Sequence, residues 1–498
     1  MLDSDSYDTV ILGTGLAQSI AAAALAKAGK SVLHLDPNEY YGGAQASLTL
    51  DEFATWAAER SEQPTDADDE YTSAQHSRYE SASTTPLGSL APDRRRYALS
   101  LFPSLMASRG TLVGTLIASD VSKYVGFRLL DSVSLWDDAK GAAARVPGSK
   151  EDVFKDKSVS LPDKRRLMKA LLFAAGEFEE DEVLKGHEEE PLLAFLTRSF
   201  GLSQRLAEAL TYAVAHASSP DEPALPSLIR ARRYIRSIGR YGPRAFLVGQ
   251  YGGAGEVAQG FCRACAVFGG TYILGPDAVP SDITVANDNA SVSLKIPGHP
   301  RTITATHLVC SPDFLPASLK PESIGTKTTA YTVAVVATRP PVLAPANAAE
   351  EGEEEEEGDD TAVLVFPPTD TTPLVRALVM GEGTGSCPQG QWVVYLWAET
   401  GDVKSLQPFL GKVAPEGVSW QASYVEHAAQ AKPAASEETG ASPLVILEPY
   451  AGPHLLTEGL DWEAAQGERA FTAVAGDDEH GFFEKAEDED DEEDGDDE

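Results

Sequence analysis

Apolar and polar positions follow three spacings along the chain, and each predicts a different element. Near the start Val10, Ile11 and Leu12 form a short apolar run, followed by a glycine turn, an alanine-rich stretch ending at Gly29, and a second apolar run from Ser31 to Leu35. Strand, helix and strand in that order predict a parallel βαβ opening. Between about 160 and 217 the spacing becomes helical. Leu167, Leu171, Ala174 and Phe178 share one face, and Leu202, Leu206, Leu210, Val214 and Ala217 line another. A return to helical spacing is also read over 97–117. After Pro226 come an arginine-rich helix, a glycine-marked turn and a helix near 256–268. Alternation at Val292, Leu294 and Ile296, and the β-branched stretch Thr329 to Ala337, predict strands.

These patterns predict an α/β chain with a large dinucleotide-type domain and a smaller, mainly helical one. The large domain is expected over 1–125, the helical domain over 126–226, and the large domain again over 227–475. Residues 60–95, rich in Ser, Thr, Asp and Glu with little periodicity, read as a flexible surface insertion without core. Residues 345–361 read as an acidic loop between two strands, and 476–498 as a disordered acidic tail. No internal repeat is visible.

Composition narrows the function. The 498 residues hold 77 Asp+Glu against 40 Lys+Arg, a net charge of -37. Nine acids fall at 350–360 and fifteen at 477–498, where Lys485 is the one base, so about -14 remains on the body. A field of that sign repels phosphate and argues against a nucleic-acid partner. Cys262 and Cys265 lie on a helical run far in sequence from Cys310 and Cys387, which supports neither a disulfide framework nor a four-thiolate zinc site. The first residues lack a basic segment ahead of the apolar stretch, and no 18-residue apolar run occurs, so a soluble, cytoplasmic protein is expected.

Gly13-Thr14-Gly15, between a strand and a helix, would bring backbone close to a pyrophosphate, and Asp36, 21 residues past Gly15, stands where an acid binds a ribose hydroxyl. The third glycine of that fingerprint is Gln18, so the fold is expected to persist without the cofactor, and a flavin-dependent oxidoreductase is the lesser alternative. Tyr40-Tyr41-Gly42-Gly43 reads either as a turn with core-packing tyrosines or as an interface anchor. Arg232, Arg236 and Arg240, four apart, would share a helix face that meets an acidic partner or balances nearby acids. Glu256 and Arg263, seven apart on one helix, project from the same side as a polar interface pair or as plain surface charges. Cys262 and Cys265 read as a buried thiol pair. The nine histidines show no metal-ligand spacing, and neither GxSxG nor GxxxxGK occurs, so an ordinary hydrolase or kinase is disfavoured.

Three blocks carry a more specific signal: residues 7–43 (YDTVILGTGLAQSIAAAALAKAGKSVLHLDPNEYYGG), 240–274 (RYGPRAFLVGQYGGAGEVAQGFCRACAVFGGTYIL) and 101–127 (LFPSLMASRGTLVGTLIASDVSKYVGF). Together they resemble the Rab escort protein and Rab GDP-dissociation-inhibitor superfamily. The resemblance implies a flavoprotein-like large domain, whose relatives mostly no longer bind flavin, joined to a small helical domain. It implies a Rab-binding platform at Tyr41, Glu256, Arg263, Thr271 and Ile273, the last where inhibitors usually carry methionine. Ser100 stands where aspartate is common, and Val257-Ala258 replaces Leu-Pro. The string CRACAVFGG is closer to escort proteins than to inhibitors. The resemblance thus implies a chain without its own catalysis and without a cofactor. Such a chain binds GDP-bound Rab GTPases, presents them to the alpha and beta subunits of Rab geranylgeranyltransferase, shelters the geranylgeranyl lipid and touches membranes transiently. An inhibitor that recycles prenylated Rabs is the alternative.

Overall fold

The computed structural model describes residues 2, 4–65, 69–147, 153, 159–297, 299–344, 358–431, 442–476 and 481–483. The opening unit forms as its pattern predicts. Strand Ser6–Leu12 pairs in parallel with Val32–Asp36, Thr9 opposite Val32 and Leu12 opposite Leu35. Thr271–Leu274 continues this sheet in parallel as an edge strand, and Ile303–Cys310 lies parallel on the other side of Ser6–Leu12. Val292–Lys295 and Ser281–Val285 follow as antiparallel strands, and Leu444–Ile446, parallel to Ile303–Cys310, completes the seven. The opening helix, Leu16–Lys27, is buried at every position from Leu16 to Ala26. That burial explains its lack of a polar stripe: it is sandwiched between helices Ala254–Val267 and Leu455–Ala475, and alanine lets both approach.

A second, eight-stranded sheet runs in the order Tyr79–Thr84, Trp420–Ala431, Ser323–Val336, Trp392–Ala398, Val375–Gly381, Thr361–Phe366, Ser132–Asp137 and Ala142–Arg145. Its first strand corrects the expectation of a coreless insertion at 60–95. Tyr79, Ala82 and Leu90 are buried there, and the Trp56 ring meets Tyr79 and Tyr424 edge-on at 5.0 Å each. The segment YESAST is too polar and short to signal a strand, and its partner Trp420–Ala431 lies over 300 residues away. Residues 97–117 also differ from expectation, forming short strands Leu99–Ser100 and Met106–Ala107 before a helix at Thr111–Ala118.

The helical unit comprises Leu161–Ala175, Leu192–Phe200, Gln204–Glu208 running into a wider-turned Ala209–Val214, and Ala224–Ser237. Leu167, Ala174, Phe178 and Leu210, on the faces the spacing indicates, build its core together with Phe195. Both proposed boundaries move. Residues 127–145 carry strands of the eight-stranded sheet and of a smaller three-stranded one, whereas Ala224–Ser237, expected from residue 227 on in the resumed large domain, packs against Leu161–Ala175. Ala224, Leu228, Ala231 and Tyr234 recur at helical spacing on its buried face and require that partner.

Of the acidic loop, 345–357 lie outside the described residues, as do 477–480 and 484–498 of the tail. Asp359 and Asp360 are described and pair with Arg145 at 3.2 Å and Arg128 at 2.9 Å. Among the described residues no helix is long and apolar enough to cross a membrane.

Candidate functional site

Two neighbouring features gather the candidate residues: the glycine turn at the start of the opening helix, and the face built by helix Ala254–Val267 with the sheet edge.

At the turn, Asp36 is fully buried and both its carboxylate oxygens are engaged. Oδ2 accepts from the Thr14 amide and hydroxyl at 2.6 Å each, and Oδ1 accepts from the Asn38 amide and side chain at 2.8 Å each. Burial pushes its pKa up while these hydrogen bonds oppose the shift. The Thr14 hydroxyl also accepts from the Gly42 amide at 3.0 Å, tying the tyrosine-glycine turn to the glycine turn. A Cβ on Gly15 would lie 2.6 Å from Gln18 Oε1, so the side chain that replaces the third fingerprint glycine fills the approach. Asp36 therefore has no free oxygen for a ribose, and Gln18 covers the backbone a pyrophosphate would need. Gly13, Gly15 and Asp36 keep the dinucleotide fold's geometry, but the residues around them do not fit the dinucleotide. Behind the turn a cavity of about 960 Å³ extends past Trp56, Tyr79, Phe102 and Tyr331 to Arg376 and Tyr450.

The second feature is assembled from three segments. Glu256 sits in the first turn of Ala254–Val267, half-buried, with its carboxyl pKa raised by burial and no hydrogen-bond or ion-pair partner among the described residues. Two turns on, exposed Arg263 lays its guanidinium 4.8 Å from the Tyr124 ring and likewise pairs with no carboxylate among the described residues. Gly260, between them, lets the turn at Val121–Lys123 press against the helix: a Cβ there would lie 2.9 Å from Val121. One turn past Arg263, Val267 is 70% exposed. Tyr41 reaches the same side of the sheet, edge-on to Tyr272 at 5.9 Å, and Tyr272 packs against His34.

Thr271 and Ile273 share the edge strand with Tyr272 but point to its opposite face, in register with Leu33 and Leu35. The structure thus places Tyr41 on the side of the sheet covered by the helix that carries Glu256 and Arg263, and puts Thr271 and Ile273 behind it, on a strand with an open edge. Ser100 donates its hydroxyl to the Gly252 carbonyl, bracing the turn that leads into the helix. Tyr124, Tyr272 and Val267 escaped the sequence reading. Val267 lies one turn past Arg263, and Tyr124 meets Arg263 only once the chain is folded; nothing in their spacing signals exposure.

Two other candidates resolve inward. Arg232 pairs with Glu177 at 2.9 Å and Glu179 at 2.6 Å, and Arg236 with Glu177 at 2.6 Å, while Arg240 donates to the Ser108 carbonyl at 2.8 Å. The arginine stripe balances acids of its own chain. Cys262 and Cys265 are buried thiols, pushed up to about 12 and about 11, and Cys262 Sγ lies 3.2 Å from the Ser19 hydroxyl.

Comparison with known proteins bears on the family and the fold. The family model described as GDP dissociation inhibitor matches residues 2–338. Rab proteins geranylgeranyltransferase component A of Candida albicans is 29% identical over 396 residues, covering 78% of this chain and 58% of that protein. The Drosophila melanogaster protein of the same name is 34% identical over 330 residues, 64% of this chain and 62% of its own length. The chain thus matches about three fifths of the length of these relatives. Among solved structures, a Rab GDI from Plasmodium falciparum superposes with a TM-score of 0.68 at 18% identity, covering 95% of this chain and 99% of that one. An oxidoreductase from Methanosarcina mazei gives 0.54 at 14% identity, covering 92% and 98%. Likenesses at such identities establish the shared flavoprotein-like, GDI-type fold. With the family match running continuously over well more than half of its residues, the chain belongs to the GDP dissociation inhibitor family.

Proposed function

We propose that this protein is a Rab escort protein: it binds GDP-bound Rab GTPases through Tyr41, Glu256, Arg263 and the edge strand carrying Thr271 and Ile273, and presents them to Rab geranylgeranyltransferase. One observation carries the reading. Neither Glu256 nor Arg263 pairs with an opposite charge among the described residues, although they sit two turns apart on one face beside exposed Tyr124 and Val267. Charges held without partners beside apolar surface are what a protein interface completes. The names of the relatives favour the escort role over others in the family.

In this role the chain performs no chemistry; the transferase subunits supply it. The helical unit would meet the transferase and the lipid. Leu161 and Leu172 on one helix and Ile229 on its neighbour are exposed, and each CH₂ of an isoprenoid sheltered on such surface is worth about 0.8 kcal/mol. That shelter would keep prenylated Rab in solution in the cytoplasm until a transient membrane contact delivers it.

The second reading is a Rab GDP-dissociation inhibitor, favoured by an Arabidopsis thaliana guanosine nucleotide diphosphate dissociation inhibitor at 29% identity over 324 residues. A prenylation assay separates the two. Purified Rab and the two transferase subunits are incubated with and without this protein. Lipid transfer that depends on it supports the escort role. Rab binding with membrane extraction but no transfer supports the inhibitor, and neither result would discard both.

A further inference from the structure

The glycine turn of a dinucleotide-binding fold is a set of backbone amides aimed at an anion. Here four of those amides are met by the chain itself. The Gly13 amide donates to the Leu35 carbonyl at 2.7 Å and the Thr14 amide to Asp36 at 2.6 Å, while the Leu16 amide donates to Gln45 Oε1 at 3.4 Å. The Ala17 amide, in the first turn of the opening helix, donates to Glu463 Oε2 at 3.3 Å, and Gln45 Nε2 donates to Glu463 Oε1 at 3.3 Å. Glu463 comes from helix Leu455–Ala475, more than 400 residues along the chain, and it lines the cavity behind the turn.

This reach has a structural cause. Gly467, one turn after Glu463, faces the opening helix so closely that a Cβ would lie 2.7 Å from Ile20 Cγ2 and 3.0 Å from the Ala17 carbonyl. The two helices are pressed together at that glycine, and the preceding turn carries the Glu463 carboxyl over the positive end of the opening helix. Gln45, on the segment that follows Tyr40-Tyr41-Gly42-Gly43, closes the site from the other side.

We propose that Glu463, held by Gln45, is a built-in substitute for a dinucleotide pyrophosphate: its carboxyl oxygens take the helix amides a diphosphate would take and exclude one from the turn. The absence of the third fingerprint glycine is then one part of a closure in which Gln18, Gln45 and Glu463 act together. This assignment is independent of which partner the platform binds.

The test is isothermal titration of inorganic pyrophosphate, ADP and FAD into the full-length protein, its Glu463→Ala variant and its Gln45→Ala variant. Thermal melting and circular dichroism verify the fold. The native chain is expected to show no binding at 1 mM ligand. Glu463→Ala, with its Ala17 amide open to the cavity and Gln45 released from its acceptor, is expected to bind pyrophosphate and ADP at least tenfold more tightly than the native chain. Gln45→Ala, which loosens the carboxyl without deleting it, is expected to gain about threefold, and it decides the matter if Glu463→Ala does not fold. Native protein that binds FAD or ADP as tightly as the variants, or folded variants that bind no better than native protein, would overturn the proposal.

Discussion

Two helices of this protein begin just after glycine turns, and their fates differ. The opening helix, Leu16–Lys27, has its first amides met from inside by Gln45 and Glu463, with Asp36 clasping the turn beneath. Helix Ala254–Val267, entered through Gly252 and Gly253 at φ values of 86° and 81°, carries its own carboxylate, Glu256, in its first turn, and that carboxylate has no partner among the described residues. Local sequence is similar in its glycines and small residues, but the first helix takes the acid at its positive end from a distant helix and the second carries its own. Tertiary surroundings close the first and leave the second facing outward. A motif's chemistry is therefore set by what the fold brings to it, and a glycine fingerprint without its tertiary vacancy is a structural element.

The sharpest way to break the comparison is to open the closed turn. Asp36→Ala strips the acceptor from four hydrogen bonds in the core and is expected to cost about 3 kcal/mol, read as a drop in urea midpoint at unchanged slope. Arg263→Ala in the same assay is expected to change stability by less than about 0.5 kcal/mol, since Arg263 binds no carboxylate of the described chain.

Glu463 gives a pH-dependent contrast. Burial raises its carboxyl to about 7 in the folded protein, above its ordinary value of 4.5. The folded state thus holds the proton more tightly than the unfolded one, so this group's contribution to stability is present at pH 4.5 and is lost as pH rises through 7. Relative to the native chain, Glu463→Gln is expected to gain about 2 kcal/mol between pH 5 and pH 8.5, measured by denaturant titration at both values. A pH-independent difference between the two would show that the carboxyl is solvated.

On the open side, Glu256→Ala and Arg263→Ala are each expected to weaken binding of GDP-loaded Rab about tenfold, or about 1.4 kcal/mol, with melting temperature preserved. The smallest expected effect belongs to the arginine stripe. Arg236 is paired within its own chain to a largely exposed Glu177, so Arg236→Ala is expected to shift stability by less than about 0.5 kcal/mol and leave Rab binding unchanged.

How far the sequence could be read depended on how local each feature is. The opening βαβ was legible because Val10 to Leu12, the alanine run and Ser31 to Leu35 each state their own element within a few residues. Tyr79–Thr84 was not, because a polar six-residue segment becomes a core strand only when Trp420–Ala431 lies beside it and Trp56 packs over Tyr79. The helix Ala224–Ser237 was recognised as a helix, but its place was not, since its apolar face does not say which neighbour it seeks. The acids that claim Arg232 and Arg236 lie over 50 residues earlier in the chain, on a loop of the helical unit.

By itself the sequence determined the α/β class, the helical stretch after residue 160 and the family, since periodicity and motif spacing survive in one dimension. Only the tertiary structure decided that Thr271 and Ile273 face away from Tyr41, that the arginine stripe is spent internally, and that Glu463 occupies the glycine turn. Those outcomes depend on contacts across tens to hundreds of residues, where the close approach permitted by Gly467 and the pairing of distant strands set the geometry.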